Sequence, residues 1–109
     1  MLHFFINTGI RDTAYYWNEL RKCLNVYAKL KVVCDTVDSL NIGGGFPIKR
    51  SLTFSYDYAY MIREIVGQIK QECTAKNVRE PHLFTEFGSY TVGESGGTVY
   101  KLIHQTSKN

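Results

Sequence analysis

The sequence predicts an α/β fold built from three consecutive parallel βα units. Short, almost continuously apolar runs alternate along the chain with longer segments in which apolar residues recur at helical spacing. Such runs are typical of parallel strands, each followed by a helix in a right-handed crossover. The runs end near Gly9, Gly43 and Gly88, about one βα unit apart. A closed (β/α)8 barrel takes about 250 residues, so the 109 residues here suffice for three units only.

The strands are expected at residues 2–6, at about residues 39–42 and at residues 82–86. Each run is compact and mostly apolar, and small or polar residues follow it. The connection over residues 30–39 has no clear pattern, and residues 46–55 are expected to form a loop.

Two amphipathic helices and a final, weaker one are expected between and after these strands. The first covers about residues 13–30 behind a cap at Asp12 or Thr13, and the second starts after Ser55 or Asp57. The last is expected over residues 91–105, although two glycines weaken its middle. The apolar face of the second helix consists of Tyr58, Met61, Ile62, Ile65, Val66 and Ile69.

Composition limits the classes of protein that the chain can represent. Apolar residues make up 44% and charged residues 21%, as in globular domains. A net charge of +3, with its basic residues scattered, does not indicate a nucleic-acid surface. No apolar run is long enough to span a bilayer, so no membrane contact is expected.

Cysteine and histidine usage predicts a cytoplasmic protein without a metal site. The cysteines fall inside apolar periodic segments and are expected to be buried thiols in a reducing compartment. The histidines lie far apart, without ligand spacing. These residues are Cys23, Cys34, Cys73, His3, His82 and His104.

Three consecutive glycines, Gly43, Gly44 and Gly45, follow the second predicted strand. Glycine costs backbone entropy on folding, so a triplet calls for an unusual backbone angle or a close approach to the main chain. Bare N–H groups at the end of a strand can hold an anion, most often phosphate. A plain tight loop is the alternative, and the triplet alone does not decide between them.

The carboxyl ends of parallel strands meet at one edge of a sheet, where α/β folds place their sites. That edge is expected to collect residues 7–9, residues 43–45, and Glu86 with Gly88 and Ser89. Small residues and a hydroxyl suit a phosphate, whereas Glu86 requires a cationic part of the same ligand. A phosphorylated heterocycle with a protonatable ring nitrogen meets both demands. The alternative for Glu86 is a helix cap or a solvated loop acid.

Two stretches resemble motifs of a known family. Residues 41–48, Asn-Ile-Gly-Gly-Gly-Phe-Pro-Ile, and residues 85–89, Thr-Glu-Phe-Gly-Ser, are similar to the glycine-triplet and Glu-x-Gly motifs of pyridoxal-phosphate decarboxylases with an alanine-racemase-like barrel. The family includes ornithine, diaminopimelate and arginine decarboxylases. Residues 56–61 and 91–96 look most like the bacterial arginine decarboxylase branch. The resemblance implies a partial (β/α)8 TIM barrel.

The resemblance also implies roles for individual residues. Gly43, Gly44 and Gly45 are expected to line the cofactor phosphate through their backbone N–H groups. Glu86 is expected to pair with the pyridine nitrogen, whose proton makes the ring a better electron sink. Gly88 is expected beside the phosphate.

Three positions differ from the family pattern. Thr8 takes the place of a serine and can still donate a hydroxyl hydrogen bond. Phe5 stands where a histidine commonly stacks on the cofactor ring, so stacking remains possible without a titratable nitrogen. Ser89 stands where many members have a phosphate-binding arginine, which removes a charged, bidentate contact.

The family's Schiff-base lysine and carboxy-terminal β-domain have no counterpart in this sequence. Residues 1–109 are therefore expected to form one segment, the C-terminal part of a pyridoxal-phosphate-binding barrel domain, without catalytic residues of its own. The parent enzyme would convert arginine to agmatine in polyamine biosynthesis. A stand-alone phosphate-ligand binding module is the alternative. A homo-oligomer is also expected, because three barrel strands leave two open edges.

Overall fold

The computed structural model of the chain describes residues 1–48 and 53–107. Strands and helices alternate along them. In chain order they are β1 (Leu2–His3), α1 (Ala14–Val33), β2 (Ser39–Asn41), α2 (Tyr58–Ala75), β3 (His82–Phe84) and α3 (Gly88–Val92). Part of the predicted 46–55 loop, residues 49–52, lies outside the described residues.

The three strands form one parallel sheet in the order β1-β2-β3. Leu40, in the central strand, pairs with Leu2 on one side and with Leu83 on the other. The strands are shorter than expected, yet the pairing continues past them, since the Phe4 amide donates to the Asn41 carbonyl at 2.8 Å. The predicted α/β fold of three consecutive parallel βα units is confirmed.

Helix α1 begins where a threonine can satisfy a free backbone donor. Thr13 has an extended backbone, and its hydroxyl accepts from the Tyr16 amide at 3.4 Å, so Thr13 and not Asp12 is the cap. The buried side of the helix comprises Tyr16, Leu20, Cys23, Leu24, Tyr27 and Ala28. This is the predicted amphipathic helix, three residues longer at its end.

Helix α2 is capped by Asp57, whose carboxylate accepts from the Tyr60 amide at 2.9 Å. The helix ends at Ala75, within the polar stretch of residues 72–79. Its buried side is narrower than predicted: Ile62 is 47% exposed, whereas Cys73 is buried. The buried residues follow one track at helical spacing: Met61, Ile65, Ile69 and Cys73.

Helices α1 and α2 pack together, and one face of the sheet joins them in a single core. The Gln68 amide donates to the Trp17 carbonyl at 3.0 Å, and the Arg21 guanidinium contacts Glu72 at 3.1 Å. Along β1 and the residues after it, Leu2, Phe4 and Ile6 belong to the core. Because successive strand residues point to opposite faces, His3 and Phe5 lie on the uncovered face.

The prediction of a helix over residues 91–105 is wrong. Helix α3 ends at Val92, and the described residues 93–107 contain no helix or strand. Val99 is 98% exposed and Ile103 is 89% exposed. Three glycines between residues 93 and 97 lower helix propensity. The apolar residues beyond them are exposed and pack on no surface formed by residues 1–48 and 53–107, so no tertiary packing from these residues offsets that cost.

The cysteine prediction holds for Cys23 and Cys73, which are buried, and is wrong for Cys34, which is exposed just after α1. Within the described residues, His, Cys, Asp and Glu side chains form no group that could hold a metal ion. None of the helices in the described ranges has the length and apolar character to cross a bilayer.

Candidate functional site

The loops that follow the three strands lie together at one end of the sheet. The Ile10 amide donates to the Gly45 carbonyl at 2.9 Å and joins the loops after β1 and β2. The Glu86 amide donates to the Gly43 carbonyl, also at 2.9 Å, and joins the loops after β2 and β3. The glycine triplet is therefore held between its two neighbours by backbone hydrogen bonds.

The geometry of the triplet explains why each position is glycine. Gly43 and Gly45 have φ angles of 69° and 106°, a region that residues with a side chain rarely adopt. A Cβ on Gly44 would lie 2.5 Å from the Glu86 carbonyl oxygen, and one on Gly45 would lie 2.8 Å from the Gly9 Cα. The glycine triplet was expected to allow a close approach to its main chain. The groups that approach it are the neighbouring loops of the same chain.

A pocket of about 740 Å³ opens beside these loops. This volume lies within the range of about 300–1,000 Å³ that is common for small-molecule sites. Three of the predicted site residues line it, namely Thr8, Gly45 and Ser89. These three residues contribute two hydroxyl groups and glycine backbone to the wall, which are groups that suit an oxyanion.

Hydrogen-bond donors remain available on this side of the triplet. The Gly43 amide donates to the Asn41 side chain at 2.8 Å, but within the described ranges the amides of Gly44 and Gly45 donate to no partner. A Cβ on Gly88 would meet nothing within 4 Å, so the space next to it is open. These features fit a phosphate group on a ligand.

The charged groups that the described residues contribute to the pocket wall come from the loop after β1. Arg11 and Asp12 both line it. The Asp12 carboxylate accepts from the Trp17 indole at 3.1 Å, whereas no ion pair among the described residues includes Arg11. One cation on this wall is thus without a carboxylate partner in the described part of the chain.

Two other predicted site residues, Glu86 and Phe5, lie on the open sheet face and not on the pocket wall. The Glu86 carboxylate is 3.4 Å from His3 Nε2, and both side chains are more than half exposed. The Phe5 ring lies against Gly43, since a Cβ on that glycine would be 3.1 Å from Phe5 Cδ2. Gly44 connects the two regions, because its backbone packs against that of Glu86.

A cluster of aromatic rings packs against these loops. Phe46 stacks on Phe87 with centroids 3.9 Å apart, and Tyr58 packs against Tyr90 at 4.7 Å. The Tyr56 hydroxyl donates to the Ile10 carbonyl at 3.3 Å, and burial raises its pKa to about 12, so it acts as a neutral donor. The rings tie the loops after β2 and β3 to the segment that starts α2.

Three of these features were missed by sequence reasoning. His3 was considered only as a metal ligand, although it lies on the same strand face as Phe5. No sequence pattern singled out Arg11. The ring cluster draws on segments that are distant in sequence, and the close spacing of Tyr56 and Tyr58 is its local signal.

Three parallel βα units with their strand-end loops in contact define an α/β domain of the class that binds ligands at the carboxyl ends of its strands. The sequence model of the pyridoxal-dependent decarboxylase family, pyridoxal-binding domain, matches residues 2–93. The chain belongs to this family.

Curated relatives carry the names of decarboxylases. The chain is 26% identical over 95 residues to the biosynthetic arginine decarboxylase of Pseudomonas aeruginosa, an alignment that covers 81% of this chain and 15% of that protein. It is 28% identical over 106 residues to the diaminopimelate decarboxylase of Bacillus methanolicus, covering 93% of this chain and 24% of that protein. The chain thus spans less than a quarter of the length of these relatives.

A solved structure has a similar fold. The crystal structure of the biosynthetic arginine decarboxylase from Campylobacter jejuni superposes with a TM-score of 0.67 at 23% identity, covering 81% of this chain and 16% of that one. At this identity the likeness concerns the fold alone.

Proposed function

We propose that the chain contributes the phosphate and ring-nitrogen contacts for pyridoxal 5′-phosphate within a longer amino-acid decarboxylase of the cytoplasm. The observation that carries the proposal is the contact between the three strand-end loops, made through the Ile10–Gly45 and Glu86–Gly43 backbone hydrogen bonds. Membership of the pyridoxal-binding domain family supports it.

The phosphate is proposed to bind at the pocket beside the triplet. The amides of Gly44 and Gly45 would donate to its oxygens, as N–H groups do in other anion-binding loops. The hydroxyls of Thr8 and Ser89, which line the pocket, would add two further donors. The open space next to Gly88 would let the phosphate approach the start of α3.

The ring of the cofactor is proposed to lie over the open sheet face. Pyridoxal phosphate, when bound, supplies an electron sink for the electron pair that a departing carboxylate leaves behind. The Glu86 carboxylate would hold a proton on the ring nitrogen, because an adjacent negative charge favours the protonated form. Phe5, packed against Gly43, would offer an aromatic face.

His3 gives Glu86 a second partner. The His3 Nε2 atom is 3.4 Å from the carboxylate, and both groups are exposed, so the contact is weak and easily exchanged. We propose that His3 orients the Glu86 side chain and yields it to the ring nitrogen when the ligand binds.

Arginine is the proposed substrate of the parent enzyme, with agmatine, a polyamine precursor, and carbon dioxide as products. The names of the Pseudomonas and Prochlorococcus relatives favour arginine. The diaminopimelate decarboxylase relative shows that similar sequences occur in an enzyme with another substrate. The Schiff-base lysine is proposed to come from another part of the parent, so this chain alone should release no carbon dioxide.

Binding of a ligand that cannot react with lysines tests the proposal most directly. Pyridoxamine 5′-phosphate has no aldehyde, so titration of the 109-residue chain, followed by calorimetry, reports on non-covalent contacts only. We expect saturable binding that weakens in the Glu86→Gln variant and remains in Lys29→Gln, a control on the exposed side of α1. A flat titration would contradict the proposal. Release of labelled carbon dioxide from carboxyl-labelled arginine would contradict the absence of catalysis.

The position of Glu86 favours a second candidate, a module that binds phosphorylated ligands without regard to a pyridine ring. Glu86 does not line the pocket that contains Thr8 and Ser89. A module of this kind would bind ribose 5-phosphate as well as pyridoxamine 5′-phosphate, and Glu86→Gln would leave both affinities unchanged. The decarboxylase proposal requires a preference for the pyridine ligand.

Self-association is proposed for the chain on its own. Strands β1 and β3 are the outer strands of the sheet, and the uncovered face exposes 59% of Phe5 and 49% of Phe84. Open edges and apolar surface favour pairing with a second copy. Light scattering at high concentration should therefore give a mass above the 12.5 kDa of a monomer, and a monomer would contradict the proposal.

A further inference from the structure

We propose that Arg11, on the loop after β1, supplies the positive charge that holds the phosphate of the ligand in the pocket beside the glycine triplet. The inference rests on the proposed function, and it names a residue that no part of the sequence pattern assigned to the site. A phosphate monoester is largely dianionic at neutral pH, so neutral donors alone leave much of its charge uncompensated.

The composition of the pocket wall singles out this residue. Thr8 and Ser89 bring hydroxyl groups, and Gly9 and Gly45 bring backbone. Among the described residues of the wall, Arg11 is the cation. A guanidinium group matches phosphate well, because its parallel N–H donors can contact two oxygens at once.

The backbone around Arg11 is held in place, so the side chain starts from a defined point. Ile10 is 1% exposed, and its amide is bonded to the Gly45 carbonyl. The Arg11 carbonyl accepts from the Thr13 amide at 2.8 Å, directly before the start of α1. The side chain itself is exposed, and no ion pair between described residues occupies it.

Asp12 on the same wall carries a negative charge, so it should lower the affinity for a phosphate where Arg11 raises it. Its carboxylate accepts from the Trp17 indole, which holds it at the start of α1. Near the pocket it would repel a phosphate. The amide of Asp12→Asn keeps an oxygen that can accept from Trp17, so this variant removes the charge and keeps the contact.

The test compares pyridoxamine 5′-phosphate with pyridoxamine, which lacks the phosphate, on the wild-type chain and its variants. Arg11→Gln should weaken binding of the phosphorylated ligand about tenfold, the effect of one partly exposed charge-assisted contact, and leave pyridoxamine binding unchanged. Arg11→Lys should retain part of the affinity, and Asp12→Asn should raise it. Arg63→Gln, an equal loss of charge on the exposed side of α2, should have no effect.

The outcomes separate this inference from the proposed function. Equal affinity of wild type and Arg11→Gln for pyridoxamine 5′-phosphate would overturn the role of Arg11 and leave the binding site in place. An equal loss of affinity in Arg11→Gln and Arg63→Gln would mean that only the net charge of the chain matters, and it would also overturn the role of Arg11. If the wild-type chain binds neither ligand, both proposals fail. Circular dichroism melts confirm that each variant is folded before it is titrated.

Discussion

Replacing Gly44 by alanine should destabilise the chain even when no ligand is present. The added Cβ would lie 2.5 Å from the Glu86 carbonyl oxygen, which is closer than real Cβ atoms approach backbone. The loops after β2 and β3 would have to separate, and the Glu86–Gly43 hydrogen bond of 2.9 Å would lengthen or break. Overpacking of this kind costs about 1–3 kcal/mol, and the lost hydrogen bond adds about 1 kcal/mol.

Gly67 provides the matched control within the same chain. It lies on the exposed side of α2, and a Cβ there would meet nothing within 4 Å. Alanine in a helix interior is favoured over glycine by about 1 kcal/mol. The same substitution should therefore raise the free energy of unfolding at position 67 and lower it at position 44.

Urea denaturation followed by far-ultraviolet circular dichroism measures both free energies of unfolding. We expect a decrease of about 2–4 kcal/mol for Gly44→Ala and an increase of about 1 kcal/mol for Gly67→Ala. If Gly44→Ala were as stable as the wild type and lost only ligand binding, the triplet would serve the ligand and not the loop contact. That result would refute the structural explanation of the triplet.

Three further predictions concern the core and the terminal segment. The Tyr16 hydroxyl is buried without a hydrogen-bond partner in the described part of the chain, so Tyr16→Phe should raise the free energy of unfolding by about 1 kcal/mol in the same urea assay; a loss of stability would mean that the hydroxyl is satisfied. Burial raises the pKa of the Cys23 thiol from 9.0 to about 11 and that of Tyr56 from 10.0 to about 12, so folding favours their neutral forms. The contribution of these two groups to the free energy of unfolding should therefore be fully present below about pH 9 and be lost between about pH 9 and 12. For Cys23 the loss is at most about 1.4 kcal/mol per pH unit. The Cys23→Ala variant should show a smaller decline in the early part of this range. Removing residues 98–107 should leave the melting temperature within about 1 °C, because Val99 and its neighbours are almost fully exposed; a larger drop in a thermal melt would show that this segment packs on the fold.

The regular elements with strong periodicity could be predicted because local sequence decides them. In α1, Leu20, Leu24 and Tyr27 recur at helical spacing, and all three are buried. The last segment has apolar residues at comparable spacing, but its glycines raise the cost of a helix and, in the described part of the chain, Val99, Leu102 and Ile103 remain exposed. Apolar spacing predicts which face of a helix would be buried. It does not predict whether another part of the protein is there to pack against that face.

The sequence predicted where the candidate site lies, but it did not predict which side chains contact each other there. Parallel strands bring their ends together, so the meeting of the loops near Gly43 and Glu86 follows from topology. The contact between His3 and Glu86 depends on strand register, since His3 is level with Asn41 and Phe84 in the sheet. The apolar pattern excludes a one-residue slip, which would turn every side chain to the other face, but it does not distinguish between registers that differ by two residues.

The backbone contacts among the loops have a consequence for binding. Ile10 and Glu86 are bonded to the triplet by the protein itself, so the loop geometry is set during folding and a ligand does not have to order it. Binding then depends mainly on the groups that line the pocket, among them those of Thr8, Arg11 and Ser89. Substitutions at these side chains should change affinity with little effect on stability, whereas substitutions in the triplet should change stability first. Measuring both quantities for the same variants therefore separates the residues that build the site from those that hold the ligand.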